Sequence, residues 1–182
     1  MWIESGIASN FTNPTTWHYR KGLKCNDGGD SVYSFALKVN QKGVYYIWMK
    51  CKSQNLIHAW RQGGSWGDTK SCPNYMMVGF KVQMCNETVG LANLVMYCSR
   101  DENDYKTSVS FDASANGSCQ WGPTRFCPFN YAICGLMYEY DTVLHSKLGM
   151  TNVKMLCCRL VWPFHIQQWQ LRRLWGYLYL RT

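Results

Sequence analysis

Apolar and polar residues alternate in short runs along most of this chain, and one run recurs three times with the same punctuation. Gly90 to Cys98 reads Gly-Leu-Ala-Asn-Leu-Val-Met-Tyr-Cys, and Gly43 to Cys51 and Gly149 to Cys157 share its frame: glycine, an apolar residue, a second apolar residue three places on, then Met-x-Cys. Apolar positions two apart, with one slip after the first (Leu91, then Leu94 and Met96), are the period of a strand with one face on a core. A second apolar run precedes each copy and predicts a partner strand: Val32 to Val39, Gly79 to Met84 and Gly135 to Tyr140. The octet Trp-Gly-x-Thr-x-x-Cys-Pro stands at Trp66 to Pro73 and again at Trp121 to Pro128, while the first copy keeps only Trp17 and Cys25. Three units follow, 17–51, 66–98 and 121–158. Each is too small to hold a core alone, which suggests sheets grouped around an axis.

Before residue 159 no segment sustains apolar residues at helical spacing, so the pattern predicts an all-β fold. Thr107 to Phe111 alternates as well and reads as an extra strand. Three such sheets pack most economically around a pseudo-threefold axis, with Met49, Met96, Met155, Phe35, Phe80 and Leu136 meeting in the middle. Residues 1–158 then form one domain. Residues 159–182 break the plan with Trp162, Phe164, Trp169, Trp175, Tyr177, Tyr179 and four arginines but no acid. They read as a basic aromatic extension, either a closing strand or an amphipathic helix for a membrane or partner.

Ten cysteines sit at regular spacing, without a Cys-x-x-Cys pair. That is the mark of a disulfide framework formed outside the cytosol. Cys25 precedes Cys51 by the same 26 residues that part Cys72 from Cys98. The expected pairs are Cys25 with Cys51, Cys72 with Cys98, Cys127 and Cys134 with Cys157 and Cys158 in an open order, and Cys85 with Cys119. His18, His58, His145 and His165 are isolated from any cysteine pair, so neither a metal nor another cofactor is expected. The sequons at Asn10, Asn86 and Asn116 predict glycosylation and agree with secretion. No run reaches the roughly 18 apolar residues of a membrane span. Met1 to Gly6 lacks the regions of a signal peptide, so an export signal is expected to be missing or already removed. The net charge of +8 falls to a modest excess once the four tail arginines are set aside. No nucleic-acid module accompanies it, so nucleic acid is not an expected partner.

Trp66-Gly-x-Thr-x-x-Cys-Pro, Gly79-Phe-Lys-Val82, Leu91-Ala-Asn-Leu-Val-Met-Tyr-Cys98 and Cys157-Cys158-Arg159 resemble the vitelline membrane outer layer protein I family, as a divergent member, over roughly residues 15 to 159. The resemblance implies a secreted, disulfide-braced β-prism of three Greek-key sheets with internal pseudo-threefold symmetry. It also implies a place in egg coats or other extracellular layers, and a cleft suited to oligosaccharides. Where the family repeats carry Asp-Asp-Thr-Ala-Leu-Asn, this chain has Glu87 to Ala92 and Ser146 to Thr151, so no catalytic carboxylate is carried over. The dermatopontin-like matrix proteins share part of the cysteine and Gly-Phe pattern but not their Asp-Arg-x-Trp signature.

A glycosidase needs two carboxylates roughly 5 to 10 Å apart. Asp68, Glu139 and Asp141 are the candidates, though solvated strand-edge acids explain them more simply. Trp66 and Trp121, each beside a glycine, offer flat apolar faces to sugar rings, with Asp68 as a polar neighbour; plugging the sheet ends is the competing role. The expectation is a secreted structural or coat protein with glycan binding at Trp66, Asp68 and Trp121. Its partners are extracellular glycans, coat or matrix proteins, or further copies of itself. The alternatives are a lectin or glycan-processing enzyme on the same fold, or a dermatopontin-like adhesion protein. The balance lies against an enzyme.

Overall fold

The computed structural model describes residues 1–6, 15–18, 23–25, 29–40, 43–59, 64–72, 76–85, 90–100, 103–107, 119–141 and 150–160, and all their regular elements are strands. In chain order these are β1 (Trp2–Glu4), β2 (Thr15–His18), β3 (Val32–Asn40), β4 (Gly43–Cys51), β5 (Asn55–Ala59), β6 (Ser65–Trp66), β7 (Lys70–Ser71), β8 (Gly79–Met84), β9 (Leu91–Tyr97), β10 (Tyr105–Thr107), β11 (Gln120–Trp121), β12 (Arg125–Phe126), β13 (Tyr131–Asp141) and β14 (Asn152–Arg159). The long strands are the predicted hairpin pairs: β8 keeps its predicted bounds, β3 and β13 run on to Asn40 and Asp141, and β9 lies within the Gly90 to Cys98 run. The expected strand from Thr107 instead begins at Tyr105, and residues 108–118 lie outside the described residues. So do Asn10, Asn86, Asn116, His145, His165 and everything after Leu160.

The strands form three sheets with one plan. The first sheet runs β5-β4-β3-β6 with β7 also on β3, and the second runs β10-β9-β8-β11 with β12 also on β8. The third runs β1-β14-β13-β2, so its hairpin is flanked on both sides by the start of the chain. In the first two sheets three neighbours follow in order and the next segment crosses back to lie beside the first of them; in the third, β1 and β2 from the start of the chain take the two corresponding places. That is the Greek-key arrangement. The result is a β-prism of three Greek-key sheets about a pseudo-threefold axis.

Alternation explains the core. In β3 and β4, Phe35, Leu37, Ile47 and Met49 point inward and are fully buried, as are Phe80, Val82, Leu94 and Met96 in the second sheet and Leu136, Val153 and Met155 in the third. Each such side chain contributes about 1.5–3 kcal/mol by leaving water. The three methionines of the recurring run and Phe35, Phe80 and Leu136 share one core cluster. Backbone bonds cross between sheets at both ends of the prism. Met77 N–H donates to Val32 O at 2.8 Å and Ile133 N–H to Met77 O at 2.7 Å. At the opposite end Leu91 N–H donates to Met150 O at 2.7 Å and Met150 N–H to Val44 O at 2.8 Å.

The disulfides place the sequence units differently from the expectation that each unit forms its own stapled sheet. Trp66 to Ser71 completes the first sheet, whereas Gly79 to Tyr97 builds the second, so units and sheets are out of phase. Cys25–Cys51, Cys72–Cys98 and Cys127–Cys157 therefore tie one sheet to the next around the prism. Cys25 follows Lys24, which bridges to Gly135 of the third sheet, while Cys51 ends β4 of the first. Cys85–Cys119 and Cys134–Cys158 each lie within one sheet. The physical reason is that the segment before each opening cysteine pairs with the hairpin of the neighbouring sheet: β3-β4 before Cys72, β8-β9 before Cys127 and β13-β14 before Cys25.

Candidate functional site

The outer face of the first sheet is set by its register. Ala36 lies opposite Trp48, Lys38 opposite Tyr46 and Ser34 opposite Lys50. On the other side of β3, Lys38 also faces Trp66 of β6, and Ser34 faces Ser71 of β7. Period two puts Ala36, Lys38, Tyr46, Trp48, Lys50 and Trp66 on the face away from the core. The Tyr46 and Trp66 rings meet edge to face, 5.0 Å between centroids and 67° between planes. Lys38 Nζ lies 6.0 Å from the Trp66 ring, and Lys50 Nζ lies 6.0 Å from the ring of Tyr33.

Ala36 is too short to fill the space between the two tryptophans. A cleft of about 220 Å³ opens there, lined by Ala36, Trp48, Trp66, Gly67 and Thr69. The edge segment shapes it. Gly67 N–H donates to Leu37 O at 2.9 Å, and the register then slips by one residue between the Trp66–Lys38 and Lys70–Phe35 pairs. The extra residue makes a bulge, which bends an edge strand away from its neighbour and re-aims its side chains. Gly64 leads into β6 at φ +79, with Val39 O only 2.7 Å from where a Cβ would stand, so this entry requires glycine.

Trp66 is 49% exposed and Trp121 is 44% exposed. The backbone treats them alike, since Gly122 N–H donates to Val82 O at 2.8 Å as Gly67 does to Leu37. Their surroundings differ. Lys81 stands where the first sheet has Ala36, and its Nζ lies 4.9 Å from the Trp121 ring. Asn93 and Val95 replace Tyr46 and Trp48, and Asn93 Nδ2 donates to Gln83 Oε1 at 3.2 Å. In the third sheet the backbone register pairs Glu139 with Trp17, whose side chain lies outside the described residues.

Asp68 is not part of the cleft lining; it is paired with Lys70 at 3.2 Å. Glu139 is buried on β13 of the third sheet, and Asp141 follows two residues later on the same strand, its backbone paired with Thr15. The three candidate acids are thus divided between two sheets. Cys25, Asp30 and Cys51 also approach one another within 4.8 Å. The two sulfurs are bonded to each other, and metal ligation needs free thiolates. Asp30 instead accepts hydrogen bonds from the Ser31 and Lys52 N–H groups at 2.8 and 3.1 Å, from Ser53 N–H at 3.0 Å and from the Ser53 hydroxyl. Burial by itself would raise its pKa, but these donors together hold it below the ordinary carboxylate value.

The sequence reading passed over Tyr46, Trp48, Ala36, Lys38 and Lys50. The signal was present in Gly-Val-Tyr-Tyr-Ile-Trp-Met-Lys-Cys, where aromatic residues occupy the outward phase that holds Asn93 and Val95 in the next copy.

The sequence model for vitelline membrane outer layer protein I matches residues 10–160. No curated protein sequence matches the chain. Among solved structures, the chain is similar to a prostate-specific WGA16 glycoprotein lectin, with a TM-score of 0.49 and 10% identity, over 87% of this chain and 100% of that one. It is also similar to the V. cholerae biofilm matrix protein Bap1, with a TM-score of 0.47 and 15% identity, over 88% of this chain and 27% of that one.

Proposed function

This chain belongs to the vitelline membrane outer layer protein I family, and on that premise we propose that it is a secreted coat or matrix protein that binds a glycan on the outer face of its first sheet. The observation that carries the reading is the open cleft between Trp48 and Trp66, floored by Ala36. Sugar rings present C–H faces that pack on aromatic planes, and a concave apolar surface with a few polar groups at its rim is how small ligands are held. Thr69 and Lys38 are the polar groups nearest to hand. Pairing of every cysteine supports an oxidising, extracellular setting.

Binding is favoured over turnover. Among the described residues no carboxylate lines the cleft, and a glycosidase needs two across the scissile bond. The test is an oligosaccharide array followed by calorimetry on the best ligand. Trp48→Ala and Trp66→Ala should each weaken binding by about tenfold or more, a loss of about 1.4 kcal/mol or more, while Trp121→Ala should leave it unchanged. A protein that retains no oligosaccharide, or one whose binding ignores both first-sheet tryptophans, would remove the proposal.

A further inference from the structure

We infer that the glycan taken by the first-sheet cleft is anionic, an oligosaccharide carrying sulfate or carboxylate groups, held by Lys38 at one end and Lys50 at the other. This rests on the glycan reading above and names its ligand class. The two lysines project from the same outer face as Trp48, on either side of it. Lys38 lies opposite Tyr46, and Lys50 stands four residues further along β4, which at a strand rise of about 3.3 Å per residue separates the two anchors by about 13 Å. The spacing exceeds a single sugar ring, so the ligand is an oligomer with charge at more than one ring.

Among the described residues neither ammonium group has a carboxylate beside it within the sheet. Lys70 pairs with Asp68 and Lys154 with Glu4, while Lys38 and Lys50 each lie over an aromatic ring. Asp68, the acid nearest the cleft along the chain, is held by Lys70. Ser34, buried beside Lys50, accepts a 3.0 Å hydrogen bond from the exposed Ser71 on the other side of β3. The arrangement therefore alternates cation, aromatic surface, cation. A neutral glycan would use only the middle part.

The experiment compares a sulfated, a uronate and a neutral oligosaccharide of equal length, by calorimetry with the whole chain. Both anionic ligands, or one of them, should bind more tightly than the neutral one. Raising ionic strength from about 0.1 M to about 1 M shrinks the Debye length from about 10 Å to about 3 Å and should erase that preference. Lys38→Gln with Lys50→Gln should cost about tenfold for the anionic ligand, as two exposed charge contacts imply, and distinctly less for the neutral one, which loses no charge contact. Lys81→Gln, on the second sheet, controls for the overall charge of +8 and should change nothing. Equal binding of neutral and anionic ligands that depends on Trp48 would overturn this inference and leave the glycan reading standing. An anionic preference weakened as much by Lys81→Gln as by the paired first-sheet variant would overturn it as general charge attraction. Absence of binding by all three ligands would sink both readings together.

Discussion

The outer faces of the first and second sheets share one backbone plan and use their aromatic residues at opposite ends of it. In the second sheet Phe126 lies across Gly79 against Tyr97, with ring centroids 5.3 Å apart, and Tyr105 covers the same tyrosine from the other side at 6.0 Å. Thr124 closes the group through a 3.3 Å contact with the Tyr97 hydroxyl. The equivalent end of the first sheet holds Ser71, Ser34 and Lys50. At the other end the order reverses: the first sheet has Tyr46, Trp48 and Trp66, while the second has Asn93, Val95 and Lys81 around Trp121. Thr69, which corresponds to Thr124, lines a cleft instead of bonding a tyrosine. Aromatic side chains on a sheet surface thus serve two ends. Where their partners are large and complementary they seal it, and where a small residue is set between them they leave a receptive surface.

The largest effect expected from breaking the contrast comes from separating the two sheets. Cys72 follows β7 of the first sheet and Cys98 follows β9 of the second. Replacing both with alanine frees a closed loop of 26 residues and should lower unfolding free energy by about 3 kcal/mol in denaturant titrations without reductant. Since the two sheets share one core cluster, a single transition should persist. Two separate transitions would mean the faces belong to independently folding pieces. Next in size is Gly79→Ala. A methyl there would stand 2.4 Å from Phe126 Cδ1 and 2.8 Å from Arg125 O, so the aromatic seal must move. Overpacking of this kind costs about 1–3 kcal/mol, and thermal unfolding should report it while glycan binding by the folded protein stays intact.

Exchanging the residue that distinguishes the two tryptophan environments should act on binding alone. Ala36→Lys places the second sheet's filler on the floor of the first-sheet cleft. Affinity should fall by about tenfold or more, about 1.4 kcal/mol or more, with little change in stability, because the lysine stem can lie on aromatic surface with its charge in water. The reverse change, Lys81→Ala, uncovers Trp121 yet leaves Asn93 and Val95 in place of Tyr46 and Trp48, and should create no comparable site. Binding gained by Lys81→Ala would show that one exposed tryptophan suffices.

How much of this was legible beforehand follows from what is local. The hairpins were readable because alternation and the Gly and Cys punctuation sit within each run, and burial of Met49, Met96 and Met155 follows from the same phase. The two-residue edge strands β6, β7, β11 and β12 carry no periodicity of their own. Which hairpin they join is decided by the Greek-key crossing, a long-range choice that spacing between cysteines does not encode. The 26-residue separation therefore names the partner of Cys25 but not the fact that the bond joins two sheets. At the site, the octet drew attention to Trp66 and Trp121 equally. Their difference lies in the diagonal cross-strand neighbour, Ala36 in one case and Lys81 in the other, two residues from the direct partners Lys38 and Gln83, which only the register brings near each ring.

The smallest expected effect concerns acid. In the first sheet the turn after β4 is tied by Asp30, whose carboxylate gathers the Ser31, Lys52 and Ser53 N–H groups and the Ser53 hydroxyl. The corresponding turn of the second sheet is closed through backbone, Cys98 N–H to Asp104 O at 3.0 Å, as Cys51 N–H to Gln54 O at 2.8 Å also is in the first. Burial opposes ionisation of Asp30, but the four hydrogen bonds outweigh it and set the folded pKa below the ordinary 3.8. A depressed carboxylate stabilises the fold fully above its unfolded pKa, and that contribution is lost as pH falls through the lower, folded value. The difference in melting temperature between the native chain and Asp30→Asn should be constant from neutrality down to about pH 5 and shrink below pH 4. Solvent exposure of the turn keeps the difference small. A gap that stays constant to pH 2, or that closes instead near pH 6, would show that the proton does not act at this carboxylate, and that the acid response does not distinguish the first sheet from the second.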